Sequence, residues 1–285
     1  MVTINTIAES PARQPDELSG ATSTPENVEE LVPLQSTNRL WIARLISIIV
    51  VLGAWEVLGR RIDPLFMSYP SAIATAAYDM TKSGELIVGM ASSLTTLLKA
   101  FTLATLIGIT LGLLIGRYKI IDATTDWLVS ALYTTPQVAI IPLVILWFGL
   151  GDAAKIFIVV VSAVFPILIN TTAGVRNVPS QLIDVGTAFA ANERQVFAKI
   201  IVPSALPYVI TGIRLGLGRA IIGMVVAEFF TAITGLGAII VKYGNQYDTA
   251  SMFVPIFILM FLGVILSMLL RYAEDAIAPW RADDR

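Results

Sequence analysis

The chain has 285 residues, 56% of them hydrophobic and 14% charged, with a net charge of −2 and a mean hydropathy of +0.78. A soluble domain carries about a quarter charged residues, so this composition suits a bilayer, and its slight acidity leaves no basic surface for nucleic acid. The absence of cysteine and histidine excludes disulfides, thiolate nucleophiles, imidazole bases and the commonest zinc and haem ligands; no metal and no cofactor is expected.

Residues 1–40 hold Glu9, Asp16, Glu17, Glu26, Glu29 and Glu30 among many Pro, Ser and Thr, with Arg13 and Arg39 the only bases. Such a segment buries too little apolar surface to offset its ordering entropy, which predicts a disordered tail. A secretory signal needs a basic start followed at once by an apolar core, whereas the first apolar run here begins at Trp41, so the tail is expected to be uncleaved and cytosolic. A helix needs about 20 mostly apolar residues to cross ~30 Å of hydrocarbon. Six runs qualify: Trp41–Leu58, Leu94–Ile115, Trp127–Phe148, Ile156–Thr172, Pro207–Ile233 and Met252–Tyr272. The predicted division is a tail at 1–40, a six-span domain at 41–272 with its core from about residue 88, and a second cytosolic tail at 273–285.

With the N-terminus inside, Arg13, Arg39, Arg117, Lys119, Arg176, Arg194, Lys199, Arg271, Arg281 and Arg285 fall on the cytoplasmic side. Only Arg60, Arg61, Lys82, Lys155 and Lys242 fall outside. That bias predicts both termini in the cytoplasm. The turn Gly149-Leu150-Gly151-Asp152 joins spans three and four, and the outer connection Gly59–Ser93, carrying Asp79, Lys82 and Glu85, predicts a short surface helix. The inner connection Ala173–Leu206 predicts two short helices around a corner. Asn177, Pro179 and Ser180 open Gln181–Phe189, and Asn192 with Gln195 three residues on is a capping-box pattern opening Glu193–Ile201. Pro203 and Pro207 then punctuate the entry to span five.

Within that connection, Asp184-Val185-Gly186, then Ala190, then Ile200-Ile201-Val202-Pro203 resembles the EAA motif of ABC importer permeases. The motif reads Glu-Ala-Ala, three residues, Gly, nine residues, Ile, one residue, Leu-Pro. Spacing matches throughout, while Asp184, Val185-Gly186, Ala190 and Val202 depart from its residue types. The segments Pro142–Gly151, Phe165–Thr171, Gly212-Ile213-Arg214-Leu215 and Val226-Ala227-Glu228 are similar to permeases of the nitrate, taurine, aliphatic sulfonate and bicarbonate group. The likeness runs from about Tyr69 to Tyr272.

The resemblance implies an all-α integral membrane protein of six spans, like type I ABC importer permeases, with cytoplasmic coupling helices between spans four and five. It implies coupling to an ATPase through Asp184, Val185, Gly186, Ala190, Asn192 and Pro203. It also implies two ABC ATPase subunits, a periplasmic or lipid-anchored solute-binding protein, and a second permease copy or close homologue, all at the bacterial inner membrane. If the corner needs a left-handed backbone, alanine at 190 is worse than glycine by roughly 1 kcal/mol, and the corner is expected at Asn192. The chain itself lacks the Gly, four residues, Gly-Lys-Ser/Thr loop of a phosphate cradle, so ATP hydrolysis is assigned to a partner.

Charges inside spans cost at least about 2.5 kcal/mol unless they face protein or water. Glu228 is expected either to line the path, with Asn170 and Arg214, or to anchor to a neighbouring span; Lys99 and Arg214 are its candidate partners. Arg214 and Arg219 are placed toward the inner end, where they can snorkel to headgroups. Gly108, Gly112 and Gly116 form a small-residue stripe suited to helix packing. The rival functions are an ion-coupled secondary transporter, which calls for repeats not seen here, and a membrane enzyme, which calls for clustered intramembrane catalytic groups.

Overall fold

The computed structural model describes residues 37–277, with side chains over 41–274; of the expected tails, 1–36 and 278–285 lie outside the described residues, while 37–40 and 273–277 are helical. Two units emerge, Met1–Ile48 and Ile49–Arg285, and the first is described only as the opening turns of a helix. Every described element is helical: α1 Thr37–Gly59, α2 Pro70–Lys82, α3 Glu85–Arg117, α4 Lys119–Thr134, α5 Gln137–Phe148, α6 Asp152–Arg176, α7 Ser180–Ala188, α8 Glu193–Val196, a π turn Phe197–Ile201, α9 Val202–Thr231, α10 Leu236–Asn245 and α11 Thr249–Ile277. Five helices are long and apolar enough to cross a bilayer, and a sixth crossing is open to the bent pair α4 and α5.

Three expectations need correction. The third run, Trp127–Phe148, is not one helix: α4 and α5 meet at 94°. Pro136 has no N–H to donate and forces the residue before it out of the helical region; Thr135 accordingly sits at ψ 130°. The second inner helix does not stop before span five, because α8, the π turn and α9 form one helix, Glu193–Thr231, of 39 residues. Pro203, read as a break, lies just past the π turn, whose shifted hydrogen bond runs from the Val202 N–H to the Phe197 carbonyl. A widened turn gives the ring room that an α-helical register denies it. Finally, α3 begins at Glu85, well before Leu94, and α10 adds a short helix between spans five and six.

The centre of the larger unit is α6, clasped between α3 and α9. Gly108, Gly112 and Gly116 of α3 face Ile167, Thr171 and Val175 of α6, rows that share a four-residue spacing. A Cβ at Gly112 would stand 2.6 Å from the Thr171 Cβ and 2.8 Å from the Leu168 carbonyl. On the other side of α6, a Cβ at Gly216 of α9 would meet the Ile167 side chain at 2.7 Å. Where the three helices cross, Leu97, Ala100, Ala104, Val159, Ala163, Ala220 and Met224 form a buried cluster. A second cluster joins α2, α10 and α11 through Ile73, Met80, Leu236, Ile239 and Val254.

Filling the α3–α6 contact therefore forces backbones apart. Gly112→Ala is expected to lower the melting temperature in detergent by the equivalent of about 1–3 kcal/mol of overpacking. Gly218→Ala, with nothing within 4 Å of its Cβ position, leaves melting unchanged or slightly raised. Differential scanning fluorimetry on the two variants checks this.

Candidate functional site

Two regions hold the residues that the sequence singled out. The first is the loop end of the bundle. Helix α7 closes in a Schellman motif: the Ala190 N–H donates to the Thr187 carbonyl at 2.9 Å and the Ala191 N–H to the Gly186 carbonyl at 3.0 Å. The left-handed residue this motif demands is Ala190, at φ +53°, and not Asn192 as expected. Asn192 is committed elsewhere. Its backbone is extended, its side chain accepts from the Gln195 N–H, and the Gln195 side chain accepts from its own N–H, both at 2.9 Å. An N-cap requires a β-region backbone, so one asparagine cannot serve as both cap and left-handed corner.

Seen from the corner, α7 has two unlike faces. Gly186 is buried against the second helix, and a Cβ there would stand 2.6 Å from Ile200 Cδ1. The flank next to it exposes Leu182, Val185 and Phe189, the last 84% exposed, with Asp184 exposed beside Val185. The loop is braced to the bundle by charge. Arg117, at the end of α3, donates to Glu193 of α8 at 2.8 Å, while at the same end Arg176 ties α6 to α4 by pairing with Asp122 and Asp126. None of these three braces was anticipated, although each acid and base was visible as a loop charge. Pro203 follows the π turn on the continuous helix that Asn192 caps.

The second region is the opposite end of the bundle, around Glu228. This residue is fully buried and lies one turn from the end of α9, not deep in the span. Its Oε1 accepts from Ser93 Oγ at 2.6 Å and its Oε2 from the Gly237 N–H at 2.8 Å. Ser93 Oγ in turn accepts from the Leu236 N–H at 2.8 Å. Glu228 and Ser93 thus satisfy two leading N–H groups of α10, where a helix dipole also favours an acid. Gly235, at φ +111°, and Gly237 leave room for the carboxyl, which a Cβ at either position would crowd. Next to it, Lys155, 1% exposed, donates to Thr234 Oγ1 at 2.6 Å.

Neither expected partner of Glu228 is present. Arg214 pairs with Glu274 of α11, and Lys99 lines a separate cavity with Asp152. Asn170 donates to the Pro166 carbonyl of its own helix at 2.8 Å and packs under Gly212. Asn170, Arg214 and Glu228 therefore do not converge. Ser93 and Gly237 escaped notice, and Lys155 was counted only as an outer base, because they come from three different segments; the Gly235-Leu236-Gly237 run was the one local hint of a tight helix start. Outside the membrane-crossing helices, Lys242 is held above the usual lysine range by its hydrogen bond to Glu85.

In this geometry Glu228 makes the hydrogen bonds of an anchor. Glu228→Gln puts an amide N–H against the Gly237 N–H or loses the Ser93 bond, and an unmet buried donor costs about 1–3 kcal/mol. Melting is expected to fall by that equivalent, Ser93→Ala to lower it similarly, and the double variant to fall short of the sum. Neutralising Lys99 or Arg214 is expected to rescue nothing; rescue by either would contradict the anchor.

A family profile described as "Binding-protein-dependent transport system inner membrane component" matches residues 104–279. Over 85% of this chain and 88% of its own, a Bacillus subtilis protein named as an aliphatic sulfonates transport permease is 31% identical. The formylaminopyrimidine transport permease protein of Halalkalibacterium halodurans is 30% identical over 82% of this chain and 93% of its own. Among solved structures, a chain of the MetNI methionine ABC transporter in an inward-facing conformation superposes with a TM-score of 0.52 at 23% identity. That match covers 70% of this chain and 97% of the other and carries the fold.

Proposed function

Because the chain belongs to the family of binding-protein-dependent transport system inner membrane components and is a permease subunit of an ABC importer, we propose that it forms one half of a path for a small oxyanion or sulfonate. The membrane subunit of such an importer does not hydrolyse ATP, and family membership favours this reading over an ion-coupled carrier. Two ATPase subunits bind at the α7–α8 loop, a solute-binding protein delivers solute at the Glu228 end, and a second copy or close homologue completes the path. The excess of bases toward the α7 loop and the tails supports a cytoplasmic loop and cytoplasmic termini. The aliphatic sulfonates relative supports the solute class, which the binding protein selects before the permease meets it.

The observation that carries the coupling role is the exposed apolar row Leu182, Val185 and Phe189 beside Asp184. A helix that turns three hydrophobic side chains outward at a bundle end offers them to a partner's groove. Alongside the row, Gly186 packs directly on the next helix, Asn192 and Ala190 fix the corner, and Pro203 follows the π turn. A force on α7 therefore reaches α9 through a short rigid joint. ATP binding closes the motor dimer, the joint moves with it, and the spans alternate access to the path.

Phe189→Asp and Asp184→Lys are the direct tests, since both positions are exposed and neither change disturbs the fold. Each is expected to cut ATP-driven uptake at least about tenfold, with the permease still inserted, as expected when an interface anchor worth over 1.4 kcal/mol is lost. Phe189→Asp is also expected to release the ATPase on size-exclusion chromatography. Normal uptake by both variants would refute coupling through this face.

A further inference from the structure

Where α4 breaks into α5, a cavity of about 350 Å³ opens between the break, α6 and α9, within the ~300–1,000 Å³ range of small-molecule sites. Its wall includes Tyr133, Thr134, Gln137, Ser162 and Arg219. Arg219 was expected near the inner headgroups. It sits 12 residues from the end of α9 at Thr231, about 18 Å along the axis, on the inner side of the middle of a ~30 Å hydrocarbon layer. A guanidinium at that depth persists where it faces protein or water rather than lipid. Unlike Arg214, it has no ion-pair partner among the described residues, and the cavity wall contains no Asp or Glu.

We propose that this cavity is a binding subsite for the anionic head of the transported solute, a sulfonate or small oxyanion, with Arg219 as its charge partner. The inference rests on the permease reading and names where in the path the solute's charge is met. Donor accounting favours an anion. The Thr134 hydroxyl is spent on the Ser130 carbonyl and the Ser162 hydroxyl on the Ile158 carbonyl, so neither offers a free hydrogen. What remains is the five-donor fork of Arg219, the Tyr133 hydroxyl, the second N–H of the Gln137 amide, whose first is given to the Val161 carbonyl, and the leading N–H groups of α5 other than that of Ala139, which donates to the Pro136 carbonyl. A guanidinium binds two oxygens of a sulfonate or carboxylate-like group side by side. Arg219 is exposed in the single chain, which suits a site that must release as well as bind.

The test uses the permease purified with its ATPase, and ethanesulfonate as the probe with neutral methanesulfonamide as control. Millimolar ethanesulfonate is expected to raise the wild-type melting temperature, methanesulfonamide to leave it unmoved, and Arg219→Gln to abolish the shift. Arg219→Lys retains charge without the fork and is expected to keep part of it. In proteoliposomes with the binding protein, R219Q is expected to lower uptake of the same sulfonate by about tenfold, the loss typical of one charge-assisted contact. No shift in the wild type, an equal shift in R219Q, or a shift with methanesulfonamide overturns the subsite. The permease reading has a separate readout, ATP-driven uptake by the wild-type assembly, and fails only if that uptake is absent.

Discussion

The contact on which everything else depends is the close approach of α3 and α9 to α6. Lipid tails are as apolar as leucine, so burial offers no driving force between spans, and association rests on tight backbone contact through small residues. The glycine row of α3 supplies that contact along one side of α6, against Ile167, Thr171 and Val175, and Gly212 and Gly216 of α9 supply it along the other. Ile167 serves both sides. Because both neighbours are pinned to the same helix, both ends of the bundle inherit fixed positions: Arg117 is set to brace the start of α8 through Glu193, Arg176 is set to tie α6 to α4, and Ser93 and Glu228 are set to hold the start of α10.

From that clasp follows the mechanical character of the loop. The path from α7 to α9 contains no flexible linker: a Schellman turn at Ala190 leads into a capping box at Asn192, and the helix then runs without interruption through the π turn to Thr231. The left-handed alanine stores a modest strain where glycine would relax, and glycine would also loosen the joint. A stiff corner that costs a little stability is consistent with a part whose task is to transmit displacement. At its far end the same helix carries Glu228, and between the two ends it presents Arg219 to the cavity beside the α4–α5 break.

Much of this was legible in the residues. Long apolar runs gave the spans because length and hydropathy decide bilayer crossing, the Asn192–Gln195 pair gave the cap because a capping box is local, and the glycine spacing gave the packing face. What failed was everything requiring knowledge of a neighbour or of backbone register. Averaged hydropathy runs straight through Thr135-Pro136, so the break vanished into an apolar window. Pro203 reads as a helix stop, and the π turn that accommodates it has no signature of its own. Asn192 looked the better left-handed residue although its own pairing with Gln195 marked it as a cap, and the two roles need different backbones, so the corner fell to Ala190. Glu228 was matched to Arg214 and Lys99 by charge, whereas its real partners, Ser93 and a backbone N–H, carry none.

The central claim is that α7, the corner and the base of α9 move as one body. The chain has no cysteine, so spin labels placed at Thr187 and at Lys199 report a single distance across the joint by pulsed electron resonance in the assembled transporter. The account predicts the same narrow distance distribution without nucleotide and with ATP trapped. Over the same transition, the distance between the Thr187 labels of two permease copies is predicted to change. A distribution across the joint that broadens or shifts by several ångströms on ATP binding would mean that the corner bends rather than transmits, and would contradict the account.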